Sequence, residues 1–93
     1  MPQIQSAKKR LRQNIVIRER NRAARSFVRN RIKALLRTLR DGDVAAAEEQ
    51  FKGVASALDR AAARKLWHKN TVARRKSRLS KLILKIKSEK ANS

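Results

Sequence analysis

The sequence predicts an all-α protein: an antiparallel three-helix bundle with a long, projecting, basic first helix. The chain has 93 residues, and Pro2, Gly42 and Gly53 are its only proline and glycines, so helix breakers are almost absent. Strong helix formers such as Ala, Arg, Lys and Leu dominate the other positions. Apolar residues recur at the three- and four-residue spacings that align side chains on one helix face. We therefore predict a single domain, residues 1–93, with a thin core.

The first helix is predicted from about Ala7 to Arg40. Ser6 is its candidate N-cap, because the hydroxyl can accept a hydrogen bond from an amide of the first turn. Its apolar positions are Ile17, Ala24, Val28, Ile32, Leu35 and Leu39. The later helices are expected to fold back on the C-terminal half of this helix, which leaves the N-terminal half without a partner. Residues 1–20 should then form an extended basic arm that is disordered or frayed until it binds a ligand.

Turn chemistry at Asp41-Gly42-Asp43 separates the first helix from the second. Gly42 can adopt the left-handed conformation that closes one helix, and Asp43 can cap the next. The second helix has an apolar seam at Val44, Ala47, Phe51, Val54, Leu58 and Ala61. We interpret the acidic residues of this region as caps and as partners of the helix dipole, not as a catalytic carboxylate pair. They are Asp41, Asp43, Glu48, Glu49 and Asp59.

The third helix has less distinct ends. Its apolar face consists of Val72, Leu79, Ile83 and Ile86. No glycine or proline marks its start between Ala63 and Asn70. Residues 88–93, rich in Lys and Ser, are expected to fray.

Charge is divided unevenly along the chain. There are 26 Lys and Arg against 7 acidic residues, a net charge of +19, and residues 1–40, 41–63 and 64–93 contribute +12, −3 and +10. Such a charge predicts an anionic partner that relieves self-repulsion. Nucleic acid fits best, because each neutralised phosphate releases counterions. The two outer helices should contact the polyanion, while the middle helix faces solvent or its neighbours.

Cations in both outer helices recur at helical spacing. The first helix has a ladder at Arg18, Arg22, Arg25, Arg29, Lys33, Arg37 and Arg40. The third has one row at Arg74, Arg78, Lys81 and Lys85 and another at Lys69, Lys76 and Lys87. A solvated surface normally interleaves acids, and the first helix offers only Glu19, so phosphate binding is the favoured interpretation. Several basic surfaces favour a protein held between RNA elements over one lying along a single duplex.

Trp67 and His68 precede the third helix. His68 is the only histidine and lacks the neighbours that a metal site or a catalytic triad needs, so we expect it to cap the helix or to bond a phosphate or ribose, together with Asn70. Trp67 is expected to plug the helix junction; stacking on a base is the alternative.

No pattern in the chain predicts catalysis. Gly-rich phosphate loops, nucleophile and base pairs and metal clusters are absent from the sequence, and there is no cysteine. We therefore expect no enzyme activity, cofactor, metal or small-molecule substrate.

The apolar stretches are too short for a membrane span, which needs roughly twenty residues, or for a signal peptide. We expect an intracellular, soluble protein without membrane contact. Two alternatives stay open on charge alone, a histone-like DNA compactor and a membrane-active amphipathic helix. The sequence lacks the aromatic or proline wedges expected of a DNA compactor. A membrane-active helix would not explain the acidic middle helix.

Three motifs carry a resemblance to a known family: SAKKR at residues 6–10, the turn Gly42-Asp43, and HKNTVARRKSRL at residues 68–79. Together they resemble the S-twenty family of bacterial small-subunit ribosomal proteins over nearly the whole chain. Family members often have a glycine before the His-Lys-Asn block, and here residues 64–67 have none. Gln5 stands where a lysine is expected beside Ser6.

The resemblance implies a three-helix bundle that binds 16S ribosomal RNA directly, assists subunit assembly and makes few protein contacts. It also implies a place in the ribosome of a bacterium or of an organelle of bacterial descent. The RNA contacts that the motifs imply are Ser6, Lys8, Lys9, Arg10, His68, Lys69, Asn70, Arg74, Arg75, Lys76, Ser77 and Arg78. Spacing and charge add Arg12, Arg18, Arg22, Arg25, Arg29, Lys33 and Lys81.

Overall fold

Three helices form the protein, as the sequence predicts. The computed structural model describes residues 2–91, and side chains from residue 5 onward. The helices are α1 (Pro2–Arg40), α2 (Val44–Ala63) and α3 (Lys69–Ala91). The described residues include no strand, so the all-α prediction is confirmed.

The start of α1 differs from the prediction. The helix begins at Pro2 and runs 39 residues without a break, so Ser6 lies inside it and is not the N-cap. Proline suits the first turn of a helix, because its fixed φ is helical and its missing N–H would have no partner there. The arm is therefore helical in this structure, while Met1 lies outside the described residues.

The first junction matches the prediction closely. Gly42 has φ +83°, in the left-handed region that closes α1. The Gly42 amide donates to Leu39 O at 3.0 Å and the Asp43 amide to Thr38 O at 3.2 Å, the pair of bonds of a Schellman motif. The Asp43 carboxylate then accepts from the Ala46 amide at 3.1 Å and caps α2.

The second junction repeats this geometry without a glycine. The Lys65 amide donates to Ala62 O at 3.0 Å and the Leu66 amide to Ala61 O at 2.9 Å, again a Schellman motif. Lys65 holds the left-handed position with φ 59°. The turn therefore closes on backbone hydrogen bonds, and α3 begins at Lys69.

The core lies on both sides of α2. This helix packs against α1 and against α3, whereas α1 and α3 make few direct contacts. The buried side chains are Val28, Leu35, Leu39, Ala47, Val54, Ala57, Leu58, Ala61, Val72, Leu79 and Ile83. Ile32, Val44, Phe51, Trp67 and Ile86 are partly buried against them. The predicted apolar faces are thus confirmed except at Ile17, which is 50% exposed.

Gly53 of α2 lies beside Arg31 of α1. A Cβ atom on Gly53 would lie 2.9 Å from the Arg31 guanidinium, so a side chain there would displace the end of the Arg31 side chain. Because the displaced group is the end of a flexible side chain, it can move without a change in the packing of the two helices.

The molecule is elongated and thin, with Cα extents of 73 × 23 × 14 Å. All side chains of residues 5–20 are exposed, which confirms a projecting first helix. At the other end, α3 continues to Ala91, beyond the predicted start of fraying at residue 88; residues 92 and 93 lie outside the described residues. The Lys90 amine donates a hydrogen bond to the Gly42 carbonyl and ties the end of α3 to the first junction.

Candidate nucleic-acid interface

The cation ladder of α1 lies beside its buried stripe. Arg18, Arg22, Arg29 and Lys33 are exposed and Arg25 is half-buried. Because the helix is continuous, these side chains follow one another along one side of it. At the predicted spacing, these residues form a row of cations that can follow a phosphate backbone.

The arm extends this basic surface beyond the bundle. The predicted contacts Ser6, Lys8, Lys9, Arg10 and Arg12 are all exposed and lie on a helix. Consecutive residues point in different directions from a helix axis, so these cations surround the rod instead of lining one side. The arm can therefore contact phosphates on several sides at once.

The two cation rows of α3 have different surroundings. Arg74, Arg78, Lys81 and Lys85 are exposed and pair with no carboxylate among residues 5–91. In the other row, Lys76 Nζ lies 2.9 Å from Asp59 Oδ1 and Lys87 Nζ lies 3.0 Å from Glu48 Oε1. The first row is therefore available to a polyanion, while most of the second row faces the acidic helix α2.

Three of the acids have a different role from the predicted one. Asp43 is a cap, as predicted, but Glu49 pairs with Lys52 within α2, and Asp59 and Glu48 form ion pairs between α2 and α3. Such exposed pairs contribute at most about 1 kcal/mol each. Their main effect is on the charge distribution, because they neutralise lysines on the inner side of α3 and leave the outer side cationic.

His68 caps α3, one of its two predicted roles. The Asn70 amide donates to His68 Nδ1 at 3.1 Å, and the Val72 amide donates to the His68 carbonyl at 3.1 Å. Since Nδ1 accepts, the neutral ring carries its proton on Nε2. The imidazole is exposed, so Nε2–H can donate to a phosphate or ribose oxygen. Lys69, the Asn70 side chain and Ser77 are also exposed.

Trp67 plugs the junction, as predicted, and contacts two arginines. It packs against the core. The guanidinium carbon of Arg29 lies 5.7 Å from the ring centroid, and that of Arg75 lies 4.5 Å away. Two predicted RNA contacts on different helices thus meet at one indole.

Sequence reasoning missed a second basic region around Phe27. Phe27 is 53% exposed, and the Arg31 guanidinium lies 4.8 Å from its ring centroid. Beside it, a groove of about 190 Å³ is lined by Ala24, Phe27, Val28, Ala57, Arg60, Ala61, Arg64 and Leu66. The four-residue spacing of Phe27 and Arg31 was a signal, but Arg60 and Arg64 had none, because only the helix packing brings them to α1.

Among residues 5–91, no group of three or more His, Cys, Asp or Glu side chains is placed to hold a metal ion. None of the described helices has the length and apolar character needed to cross a bilayer. What the arrangement can do is bind phosphates at many points on a rigid, elongated cationic surface.

Comparison with known proteins identifies the family. The sequence model described as Ribosomal protein S20 matches residues 2–84. The small ribosomal subunit protein bS20 of Rhodopirellula baltica is 48% identical over 83 residues, covering 89% of this chain and 92% of that protein. Those of Xylella fastidiosa and Xanthomonas oryzae pv. oryzae are 44% and 47% identical over 88 residues, covering 95% of this chain and 99% of each protein. The chain therefore belongs to the ribosomal protein S20 family, whose members are structural, non-enzymatic components of the small ribosomal subunit.

Proposed function

We propose that this chain binds 16S ribosomal RNA directly through α1 and the outer row of α3, and that it assists assembly of the small subunit. The observation that carries the proposal is the separation of charge in the fold. Carboxylates of α2 neutralise Lys76 and Lys87 on the inner side of α3, while the ladder and the outer row have no carboxylate partner among residues 5–91. Unneutralised cations at helical spacing are suited to RNA phosphates.

RNA preference is the first test. Filter binding at physiological salt should show tighter binding to 16S ribosomal RNA than to random duplex DNA of similar length. Equal affinities would contradict the proposal and favour a DNA compactor. Leakage of phospholipid vesicles at similar protein concentrations would instead favour membrane activity.

Salt dependence tests the ladder residue by residue. Arg25→Ala should weaken binding and reduce the slope of log affinity against log salt by about one, because one phosphate contact is lost. Lys52→Ala is the control, since Lys52 lies on α2 and already pairs with Glu49 at 3.2 Å; its slope should equal that of the unmodified chain. An unchanged slope for Arg25→Ala would refute that contact.

Assembly requires a separate measurement. Reconstitution of small subunits from 16S ribosomal RNA and the other proteins should yield fewer complete particles when this chain is omitted. Equal yields would contradict the assembly role while leaving RNA binding intact.

A further inference from the structure

The junction between α2 and α3 contains an arrangement that a simple helix connection does not require. Trp67 is the only tryptophan of the chain, and its ring is approached by Arg29 from α1 and by Arg75 from α3. These helices otherwise make few direct contacts. The indole is therefore a principal point at which the two basic helices are connected.

Both guanidiniums approach the Trp67 ring, and neither has a counter-ion among the described residues. Their distances from the centroid, 5.7 and 4.5 Å, place the two carbons no more than about 10 Å apart. Neither arginine pairs with a carboxylate among residues 5–91. Like charges at this separation repel, and the repulsion is weakened when an anion binds beside them. The arrangement thus favours an anionic ligand.

Contact with the ring also leaves the N–H groups of both guanidiniums able to donate hydrogen bonds. An arginine interacts with an aromatic ring through the face of its guanidinium, whereas it binds phosphate through N–H groups at the edge. Both interactions can therefore be made at once. A ring that fixes the two side chains before binding also reduces the conformational entropy lost when RNA binds.

We propose that Trp67 is a positioning residue that holds Arg29 and Arg75 as one two-arginine site for the phosphates of one stretch of RNA backbone. The inference rests on the proposed function and adds to it: the ladder of α1 and the basic side of α3 act on the same stretch of backbone at this point. A Trp67 that served only as a core plug would stabilise the fold without coupling the two arginines.

A double-mutant cycle measures that coupling. Arg29→Ala and Arg75→Ala should each lower affinity for 16S ribosomal RNA about tenfold, and the double variant should lose only about threefold more, since either change disrupts the shared site. The control pair is Arg22→Ala with Arg78→Ala, which share no ring, and its losses should multiply. Multiplying losses for Arg29 and Arg75 would overturn the shared site.

Trp67 variants test positioning apart from folding. Trp67→Leu should weaken RNA binding several-fold in the otherwise unmodified chain, and Trp67→Phe should restore most of the affinity because it keeps an aromatic face. In the Arg29→Ala, Arg75→Ala background, Trp67→Leu should leave affinity unchanged. Thermal unfolding by circular dichroism, followed for each variant, separates a loss of fold from a loss of positioning.

The outcomes distinguish the two proposals. If Trp67→Leu weakens binding equally in both backgrounds, Trp67 acts through the fold and the positioning role is refuted. If the unmodified chain does not bind 16S ribosomal RNA, the proposed function itself fails. If the unmodified chain binds tightly but the losses for Arg29→Ala and Arg75→Ala multiply, only the two-arginine site is refuted.

Discussion

The two helix junctions have the same backbone hydrogen bonds but different residues at the position that needs a left-handed conformation. At the first junction that residue is Gly42, with φ +83°; at the second it is Lys65, with φ 59°. Glycine reaches this region without a steric penalty, whereas a residue with a Cβ is strained by roughly 1–2 kcal/mol. The second junction is therefore the more strained of the two.

The junctions also differ in what supports them from outside. Lys90 reaches the first junction and donates to the Gly42 carbonyl. The second is supported by Trp67, which packs on the core and is approached by Arg29 and Arg75. Strain is therefore tolerated at the junction beside which two candidate RNA contacts lie, whereas the first junction is relaxed.

The relaxed junction should be the most sensitive to substitution. Gly42→Ala should lower the free energy of unfolding by about 1–2 kcal/mol, because its φ suits glycine and the added Cβ would lie 3.2 Å from Lys90 Nζ. Urea denaturation measures the change. Lys65→Ala is the matched control and should be nearly neutral, since that position already bears a Cβ. Equal losses would show that the junctions do not differ as described.

Loss of either helix cap should have a moderate effect on the free energy of unfolding. Asp43→Ala and His68→Ala should each reduce the free energy of unfolding by roughly 1 kcal/mol, because each removes an acceptor for a first-turn amide.

Only His68→Ala should also weaken 16S ribosomal RNA binding, measured at a temperature where both variants are folded. His68→Ser should recover stability but not affinity, since serine caps a helix but lacks the imidazole donor. If Asp43→Ala lowers affinity as much as His68→Ala, the histidine has no separate role in binding.

One substitution should increase the free energy of unfolding slightly. Lys65→Gly should raise the free energy of unfolding by about 0.5 kcal/mol, because relief of the left-handed strain exceeds the extra entropy of glycine in the unfolded chain. Thermal unfolding against Lys65→Ala separates strain from the lost charge. A destabilised glycine variant would show that Lys65 is not strained.

The same comparison explains how far the sequence predicted the fold. Asp41-Gly42-Asp43 combines a residue suited to the left-handed region with a cap, so the first junction was predictable from residue types. The second is closed by backbone hydrogen bonds around a lysine, and no residue type signals them. The early start at Pro2 was missed because Ser6 offered a cap inside what is in fact continuous helix.

The candidate site was predictable where it depends on a single helix. Spacing alone placed the α1 ladder and the outer α3 row, because helical geometry fixes which side chains share a side. The pairing of Lys76 with Asp59 depends on how α2 and α3 align, and the approach of Arg29 and Arg75 to the same Trp67 ring depends on how the helices pack. Neither can be obtained from the pattern of one segment.

The bundle is thin, and its stability should therefore depend strongly on what is bound to it. With Cα atoms spread over only 14 Å in one direction, no buried side chain is far from solvent, and the apolar interior is correspondingly small. A ligand that binds only the folded form shifts the unfolding equilibrium by mass action. The melting temperature of this chain should therefore rise with the concentration of the nucleic acid that surrounds it, and the isolated chain should be the least stable form.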